Sequence, residues 1–160
     1  MKAIITGSFD PITLGHIEII KKASSFFDEI YVVALLNESK KYMFSLSEKR
    51  EIMELSLEGM ANVIVDTFDG MTADYMHKHE ITKIVRGIRN AEDKEYEEKL
   101  AKAMNSFDKN FETIFIESDE KFVNVSSTYV REKIEKGESI DGLVDSKAKE
   151  RILEIFNSKH

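Results

Sequence analysis

The stretch KAIITGSFDPITLGHIEII, residues 2–20, decides the fold of this chain. Its apolar beginning predicts a buried strand, and GSFDPITLGH at positions 7–16 predicts a tight turn that leads into a helix. Gly7 and Gly15 let the backbone approach a bulky anion, and the first turn of the following helix directs free N–H groups at the same space. His16 lies in that turn. A glycine after a strand and a single histidine are each common without any function, so the prediction of a phosphate site rests on their ordered combination.

The composition is typical of one cytoplasmic α/β domain. The 160 residues include no cysteine, which leaves neither a disulfide framework nor a thiolate metal site. No apolar run reaches the roughly 20 residues that span a bilayer, and the start of the chain lacks the pattern of a signal peptide. A net charge of −7 opposes the basic footprint of nucleic-acid-binding proteins. We therefore expect a single domain over residues 1–160, in the cytoplasm, with neither nucleic acid nor membrane as a partner.

Short β-branched runs alternate with segments of helical period, which predicts a parallel sheet covered by helices. We expect strands near residues 2–6, 30–36, 62–66, 82–85 and 113–116. We expect helices over residues 14–27, 46–58, 72–79 and 92–106, and two C-terminal helices over 127–136 and 147–156. The predicted architecture is an open, Rossmann-like five-stranded parallel sheet of order 3-2-1-4-5 with helices on both faces. In that order strands one and four are neighbours, so the segments that follow them share the crevice at the carboxyl edge of the sheet.

Three further segments supply groups that suit a phosphate. Arg86 and Arg89 follow the predicted fourth strand, where a guanidinium either meets an anion or pairs with an acidic residue of the next helix. The residues available for such a pair are Glu92, Asp93, Glu95, Glu97 and Glu98. Lys40 lies in the long loop after the predicted second strand, which suits either a mobile cationic lid or an ordinary solvated loop. The hydroxyls of residues 126–128 stand at a predicted helix start, where N-capping explains one of them but not all three.

Three other polar residues are assigned no role in the site. Asp10 precedes Pro11 in a tight turn, so we expect it to brace that turn rather than to bind a metal. His77 and His79 are two positions apart on a predicted helix, so their side chains diverge and we place them at the surface.

With these segments in this order, the chain resembles the bacterial phosphopantetheine adenylyltransferases over nearly its whole length. The signature of the nucleotidyltransferase superfamily is a His-x-x-His or Thr-x-x-His pattern in the first turn, and here it is Thr13-Leu14-Gly15-His16. Thr13 favours the adenylyl branch, because cytidylyltransferases usually carry histidine at both positions. The resemblance implies transfer of AMP from MgATP to 4′-phosphopantetheine by a homohexamer, which gives dephospho-coenzyme A and pyrophosphate.

The same resemblance implies roles for individual residues. His16, Lys40 and Arg89 are the implied catalytic residues. Mg²⁺ is the implied cofactor, and no side chain is assigned to it, since phosphate oxygens and water can supply its ligands. The positions that match phosphopantetheine-binding residues are Ser8, Lys40, Thr72 and Arg86. The positions that match ATP-binding residues are Ser8, Phe9, His16, Gly87, Ile88, Arg89, Glu97, Phe122, Val123, Asn124, Val125, Ser126, Ser127 and Thr128.

Three positions depart from the family pattern. Ser8 stands where most members carry threonine, and Thr128 stands where they carry a third serine, and both changes keep the hydroxyl group. The helix after Glu97 gains one residue before Asn105, which rotates that side chain by about 100°. Asn105 is therefore assigned no role.

Two other functions are left open by the sequence. One is a related cytidylyl- or adenylyltransferase that acts on another phosphorylated small molecule, which Thr13 and the set Lys40, Thr72 and Arg86 disfavour. The other is a nucleotide-binding regulator that never turns ATP over, which the presence of His16 and Lys40 disfavours. The transfer itself needs no catalytic base, because a phosphate monoester is already an ionised nucleophile, so positioning and charge stabilisation suffice.

Overall fold

A five-stranded parallel sheet of order β3-β2-β1-β4-β5 organises the computed structural model, which describes residues 1–160. The strands are β1 (Lys2–Gly7), β2 (Glu29–Leu35), β3 (Val63–Phe68), β4 (Lys83–Ile88) and β5 (Glu112–Glu117). The helices are α1 (Leu14–Ser24), α2 (Leu46–Ser56), α3 (Thr72–Lys78), α4 (Ala91–Phe107), α5 (Ser127–Glu135) and α6 (Ser146–Lys159), and a short 3₁₀ helix, Glu120–Phe122, follows β5. The predicted strand order is confirmed.

The starts of the helices follow from local sequence. α1 begins with a capping box in which Thr13 and His16 exchange side-chain-to-backbone hydrogen bonds, and α2 begins with a capping box between Ser45 and Glu48. Asn90 caps α4 and Ser126 caps α5 through their side-chain oxygens. Because α1 and α4 are the elements that follow β1 and β4, both helices begin at the carboxyl edge of the sheet.

The helices cover both faces of the sheet. α1, α2, α5 and α6 pack on one face over the larger core, which includes Ile20, Ile52, Ile134 and Ile152. α3 packs on the other face over a smaller core around Met76, and α4 adds a residue to the rim of that core. α1 and α4 therefore leave neighbouring strands on opposite faces, which creates a crevice between them. None of the helices combines the length and the apolar character that crossing a bilayer requires.

The crevice opens because β1 and β4 are joined over only part of their length. β1 pairs with β2 at six positions but with β4 at only two, Ala3 with Lys83 and Ile4 with Ile84. Beyond these two pairs no ladder pairing joins the strands, so their carboxyl-terminal halves leave room for a ligand between them.

The fourth strand is longer than the sequence predicted. We expected it to end at residue 85 with Arg86 after it, but Arg86, Gly87 and Ile88 belong to β4. Their backbone groups pair with residues 115–117 of β5, and this tertiary pairing decides where the strand ends. Arg86 therefore extends from a strand rather than from a loop. The other boundaries differ from the predictions by three residues or fewer.

Candidate active site

A cavity of about 420 Å³ lies at the carboxyl edge of the sheet, between β1 and β4. Residues 5–7 of β1 and residues 85–87 of β4 line it, together with Gly15, His16 and Ile19 of α1. The opposite walls come from the first turns of α4 and from the segment that begins α5; the lining residues there are Asp93, Tyr96, Glu97, Phe122, Val125, Ser126, Ser127 and Thr128. Segments that are far apart in the chain therefore meet in one cavity, as their predicted positions after strands one and four indicated.

His16 has its imidazole fixed by the turn that precedes it. Its Nδ1 accepts a hydrogen bond from the backbone N–H of Thr13 at 3.0 Å and lies 3.1 Å from the Thr13 hydroxyl. A ring nitrogen that accepts from an N–H carries no proton, so the proton of the neutral ring is on Nε2. Burial, aided by the positive charge of Arg89, lowers the pKa of His16 from 6.5 to about 4. At neutral pH His16 is therefore an uncharged residue whose Nε2–H is its free donor at the cavity.

Phe9 packs beneath this histidine. Its ring is 2% exposed and meets the His16 ring edge to face, with 5.0 Å between the ring centroids. Its backbone has a φ of 44°, in the left-handed region that an aromatic residue rarely adopts. Such a conformation persists only where the surrounding structure enforces it, and it is often found at functional sites.

Two glycines allow the walls of the cavity to come close together. A Cβ atom on Gly15 would lie 3.1 Å from the carbonyl oxygen of Val125, and one on Gly87 would lie 3.0 Å from Cγ1 of Ile19. Both distances are shorter than a methyl group accepts without displacement of its neighbour. Gly15 therefore keeps the start of α1 against the segment before α5, and Gly87 keeps β4 against α1.

Arg86 bridges the gap between β4 and β1. Its Nη1 lies 3.3 Å from both the carbonyl oxygen and the hydroxyl of Thr6. Its Nε and Nη2 donate to the two carboxylate oxygens of Glu97, at 2.7 and 2.9 Å, in a bidentate ion pair. Pairing with the following helix, the alternative raised from the sequence, is therefore observed for Arg86.

Arg89 also pairs with a carboxylate of α4. Its Nε donates to Oδ2 of Asp93 at 2.8 Å, and its side chain is 43% exposed. Surface ion pairs of this kind contribute only about 0–1 kcal/mol, so an incoming anion can replace Asp93 at little cost. The charge of Arg89 lowers the pKa of His16, and both side chains line the same cavity. The predicted convergence of positions 16 and 89 is therefore observed.

The three hydroxyls at the start of α5 all line the cavity. Ser126 is the N-cap residue, Ser127 donates to the carbonyl oxygen of Pro11 at 2.7 Å, and Thr128 accepts from Arg131 at 3.2 Å. Capping explains only the first of them. The bond from Ser127 joins α5 to the turn that carries His16, which holds both helix starts at the cavity.

A second cavity, of about 170 Å³, adjoins the first. Both cavities are lined by Thr6, Arg86 and Glu97, so the Arg86–Glu97 ion pair forms a common wall. The rest of the second cavity is mostly apolar or small; its lining residues are Thr72, Ile84, Leu100, Ala101, Ala103, Met104 and Thr113. It suits a partly apolar group attached to an anion that reaches Arg86.

Comparison with known proteins places this geometry in a family. The cytidylyltransferase-like family matches residues 4–133 of the chain. The phosphopantetheine adenylyltransferase of Dictyoglomus thermophilum is 40% identical over 159 residues, which cover 99% of this chain and 97% of that relative. The phosphopantetheine adenylyltransferase of Clostridium novyi is 39% identical over 155 residues, which cover 97% of this chain and 94% of that relative. The chain belongs to the phosphopantetheine adenylyltransferase family.

Solved structures support the fold of this family member. A protein from Vibrio parahaemolyticus, assigned as a nicotinate-nucleotide adenylyltransferase, has a TM-score of 0.69 to this structure. The superposition covers 95% of this chain and 97% of the Vibrio chain. At 19% identity that likeness concerns the fold alone. The resemblance inferred from Thr13-Leu14-Gly15-His16 is confirmed by the relatives.

The structure brings together most, but not all, of the residues that the resemblance implied. Those that line the first cavity are Phe9, His16, Arg86, Gly87, Arg89, Glu97, Phe122, Val125, Ser126, Ser127 and Thr128. Thr72 lines only the second cavity. Neither cavity is lined by Ser8, Lys40, Ile88, Val123 or Asn124. Lys40 is exposed, and Ile88 is buried in β4. Met104 lines the second cavity, whereas Asn105 lines neither cavity.

Four polar or aromatic residues of the lining were assigned no role from the sequence: Thr6, Asp93, Tyr96 and Ser118. Thr6 is a polar residue near the carboxyl end of β1, after the apolar run of residues 3–5, and Ser118 directly follows β5. Polar residues at the carboxyl ends of parallel strands point to the ligand crevice, so this signal was present in the sequence. Tyr96 is 61% exposed, and nothing in the spacing of its helix distinguishes it from a surface residue.

Proposed function

We propose that the protein transfers the adenylyl group of ATP to 4′-phosphopantetheine. A phosphate oxygen of 4′-phosphopantetheine attacks the α-phosphorus of ATP, and the bond from that phosphorus to the bridging oxygen of the β-phosphate breaks. The products are dephospho-coenzyme A and pyrophosphate. The observation that carries this proposal is the meeting of His16 and Arg89 with the starts of α1 and α5 in one cavity between β1 and β4.

The state of His16 suits this chemistry. The nucleophile is already ionised, so no group has to remove a proton from it. What the reaction needs is a fixed donor for the charge that develops on the α-phosphate oxygens. A histidine with a pKa of about 4 is uncharged at neutral pH, and its Nε2–H donates without gaining or losing a proton.

We assign ATP to the first cavity. The free N–H groups at the starts of α1 and α5 and the guanidinium of Arg89 suit the triphosphate. The proposed ATP contacts from Ser8, Ile88, Val123 and Asn124 rest only on the resemblance to the family, since these residues line neither cavity.

We assign 4′-phosphopantetheine to the second cavity and to its common wall. Arg86 and Thr72 supply polar groups there, and Leu100, Ala103 and Met104 suit the apolar part of the pantetheine arm. Lys40 lies in the loop that follows β2, which is the neighbour of β1 in the sheet. Its long side chain is proposed to reach the phosphates from that side.

Magnesium is proposed to enter as part of the substrate MgATP. Asp93 and Glu97, the carboxylates that line the first cavity, are each bonded to an arginine. No group of three or more His, Cys, Asp or Glu side chains is placed to hold a metal ion. Triphosphate oxygens and water are therefore the proposed ligands of Mg²⁺.

We further propose that residues 1–160 act as one cytoplasmic domain that assembles into a homohexamer. Support comes from α4, whose 17 residues include one buried residue, Glu97. On the same helix Tyr96 is 61% and Phe107 58% exposed, and exposed apolar surface of this kind is typical of protein interfaces. Light scattering during size-exclusion chromatography tests the assembly, with six times the chain mass of 18.4 kDa expected.

A pyrophosphate-release assay tests the activity. Pyrophosphate should form only when ATP and 4′-phosphopantetheine are both present, and CTP should not replace ATP. Turnover only with CTP, or only with a different phosphorylated acceptor, would favour a related cytidylyl- or adenylyltransferase that acts on another small molecule. ATP binding without any turnover across the acceptor panel would favour a regulator and contradict the proposal.

A further inference from the structure

A buried lysine of α2 has no role in the mechanism proposed above. Lys49 is 1% exposed, and its ammonium group has no hydrogen-bond partner. Its Nζ lies 3.5 Å from the centroid of the Tyr42 ring, which is a cation–π contact. A buried charge without hydrogen bonds is costly, so an apolar residue at this position would serve packing better.

Tyr42 belongs to the loop that carries Lys40, residues 36–44, which we call the Lys40 loop. The Tyr42 hydroxyl accepts a hydrogen bond from the backbone N–H of Asn37 at 3.1 Å. The backbone N–H of Lys40 donates to the carbonyl oxygen of the same Asn37 at 3.0 Å. The Lys40 loop is therefore closed on itself, with Tyr42 at its base and Lys40 near its tip.

Asp10 fastens the residues that follow Tyr42. Its carboxylate accepts from the backbone N–H groups of Met43 and Phe44, at 2.9 Å each, and Asp10 is 1% exposed. We expected Asp10 to brace its own turn, but it joins that turn to the Lys40 loop, 33 residues away. Arg131 donates to the carbonyl oxygen of Asp10 at 2.8 Å. The base of the Lys40 loop is therefore fixed to the turn that precedes His16.

Lys49 is electrostatically coupled to this junction. Burial lowers the pKa of Lys49, the negative charge of Asp10 acts in the opposite direction, and Arg131 lowers it further. The ammonium group thus experiences both the Tyr42 ring and the Asp10 carboxylate, and these two groups hold the same end of the Lys40 loop.

We propose that Lys49 is a positioning residue whose buried ammonium holds the Tyr42 ring, and through it the Lys40 loop, in the orientation that delivers Lys40 to the phosphorylated acceptor. This inference rests on the proposed function, in which Lys40 binds the acceptor. An apolar side chain would fill the same volume, but it would attract neither the ring nor the carboxylate.

The first test is Lys49→Met, which keeps an unbranched side chain and removes the charge. The KM for 4′-phosphopantetheine should rise about tenfold, the loss expected for a desolvated cation–π contact. The dissociation constant for ATP, measured by calorimetry, should change less than about twofold, because the ATP groups lie on other elements. Lys133→Met is the matched control: Lys133 lies over the Tyr129 ring on α5, at 5.3 Å, and its loss should leave both values unchanged.

A double-mutant cycle separates positioning from packing. If Lys49 acts through Lys40, then Lys49→Met should have less than about a twofold further effect on the KM for the acceptor in a Lys40→Ala background. Lys49→Arg should restore most of the wild-type KM, because a guanidinium also stacks on an aromatic ring. Additive effects of the two substitutions, or an equal rise in the ATP constant, would overturn the inference.

Hydrogen exchange gives a readout that does not depend on activity. Amides of residues 36–44 should exchange faster in Lys49→Met than in the wild type, whereas those of the β-sheet should not change. Tyr42→Leu, which removes the ring instead of the charge, should give the same pattern and serves if Lys49→Met does not fold. Unchanged exchange in this loop would refute the inference, whether or not the wild type makes pyrophosphate. A wild type that makes no pyrophosphate would by itself refute only the proposed function.

Discussion

Substitutions of His16 can separate helix capping from chemistry, because the two ring nitrogens have different partners. Nδ1 accepts the Thr13 N–H at 3.0 Å, whereas Nε2–H is the donor left for the cavity. Alanine removes both nitrogens. The shorter amide of asparagine offers an acceptor near the position of Nδ1 and nothing near Nε2, and the longer amide of glutamine offers a donor near Nε2.

The two losses have different sizes. A helix N-cap interaction contributes about 1 kcal/mol, which lowers the melting temperature of a chain of this size by about 2–4 °C. A preorganised donor to a developing oxyanion contributes about 3–4 kcal/mol, which is roughly 10²–10³-fold in turnover. His16→Ala should therefore fold, melt a few degrees lower, and lose at least about 10²-fold in kcat.

The comparison of the three variants decides the role of His16. His16→Asn should melt close to the wild type yet turn over as slowly as His16→Ala. His16→Gln should recover part of the activity, and it should also keep part of the cap, because glutamine is a usual residue at this position of a capping box. Thermal unfolding followed by circular dichroism gives the first quantity, and pyrophosphate release at saturating substrates gives the second. Wild-type turnover in His16→Asn would refute the donor role and leave capping as the only task of this residue.

Three other predictions follow from the geometry of the site. NMR titration should place the pKa of His16 near 4. The pKa of a histidine in the unfolded chain is near 6.5, so the unfolded chain binds more protons than the folded protein between these pH values. The free energy of unfolding should therefore fall as the pH drops through this window in the wild type, and it should fall less in His16→Asn. Arg89→Lys should lower kcat at least about tenfold because it loses the planar fork, whereas Asp93→Asn should keep kcat within about threefold; the reverse order would show that the ion pair, not the guanidinium, matters. Gly87→Ala should lower the free energy of unfolding by about 1–3 kcal/mol, since the new methyl group meets Ile19. In denaturant titrations the double variant Gly87→Ala, Ile19→Ala should lose less stability than the sum of the two single variants. Strictly additive losses would contradict the contact.

The sequence predicted the fold and the centre of the site, because both depend on local patterns. Alternating strands and helices indicate a parallel sheet, and a strand order of 3-2-1-4-5 places the segments after strands one and four in one crevice. That order is observed, and it explains why His16 and Arg89 line the same cavity although 73 positions separate them. The glycines at 15 and 87 were visible as small residues, but only the structure identifies Val125 and Ile19 as their neighbours.

Contacts between distant side chains could not be predicted in the same way. The end of β4 depends on its ladder with β5, so Arg86 was placed after the strand rather than in it. Asp10 stands in a turn where local bracing is the usual role, yet its hydrogen bonds go to the Lys40 loop. Lys49 occupies a position in an amphipathic helix where a lysine is normally solvated, and its burial over Tyr42 follows only from tertiary packing.

The two arginines of the site differ in how strongly their carboxylate partners hold them when a phosphate binds. Arg86 is held by both oxygens of Glu97, whose side chain is only 11% exposed, so releasing the guanidinium would leave a poorly solvated carboxylate without a partner. Arg89 is held by Asp93 in a pair that contributes at most about 1 kcal/mol. Arg86 therefore acts from a fixed position between the two cavities, where it adds an anion to the partners it already has. Arg89 is free to exchange its carboxylate for a phosphate and to move with it. Both partners of the Arg86 pair are less exposed than those of the Arg89 pair, and Glu97 and Thr6 together fix where Arg86 stands.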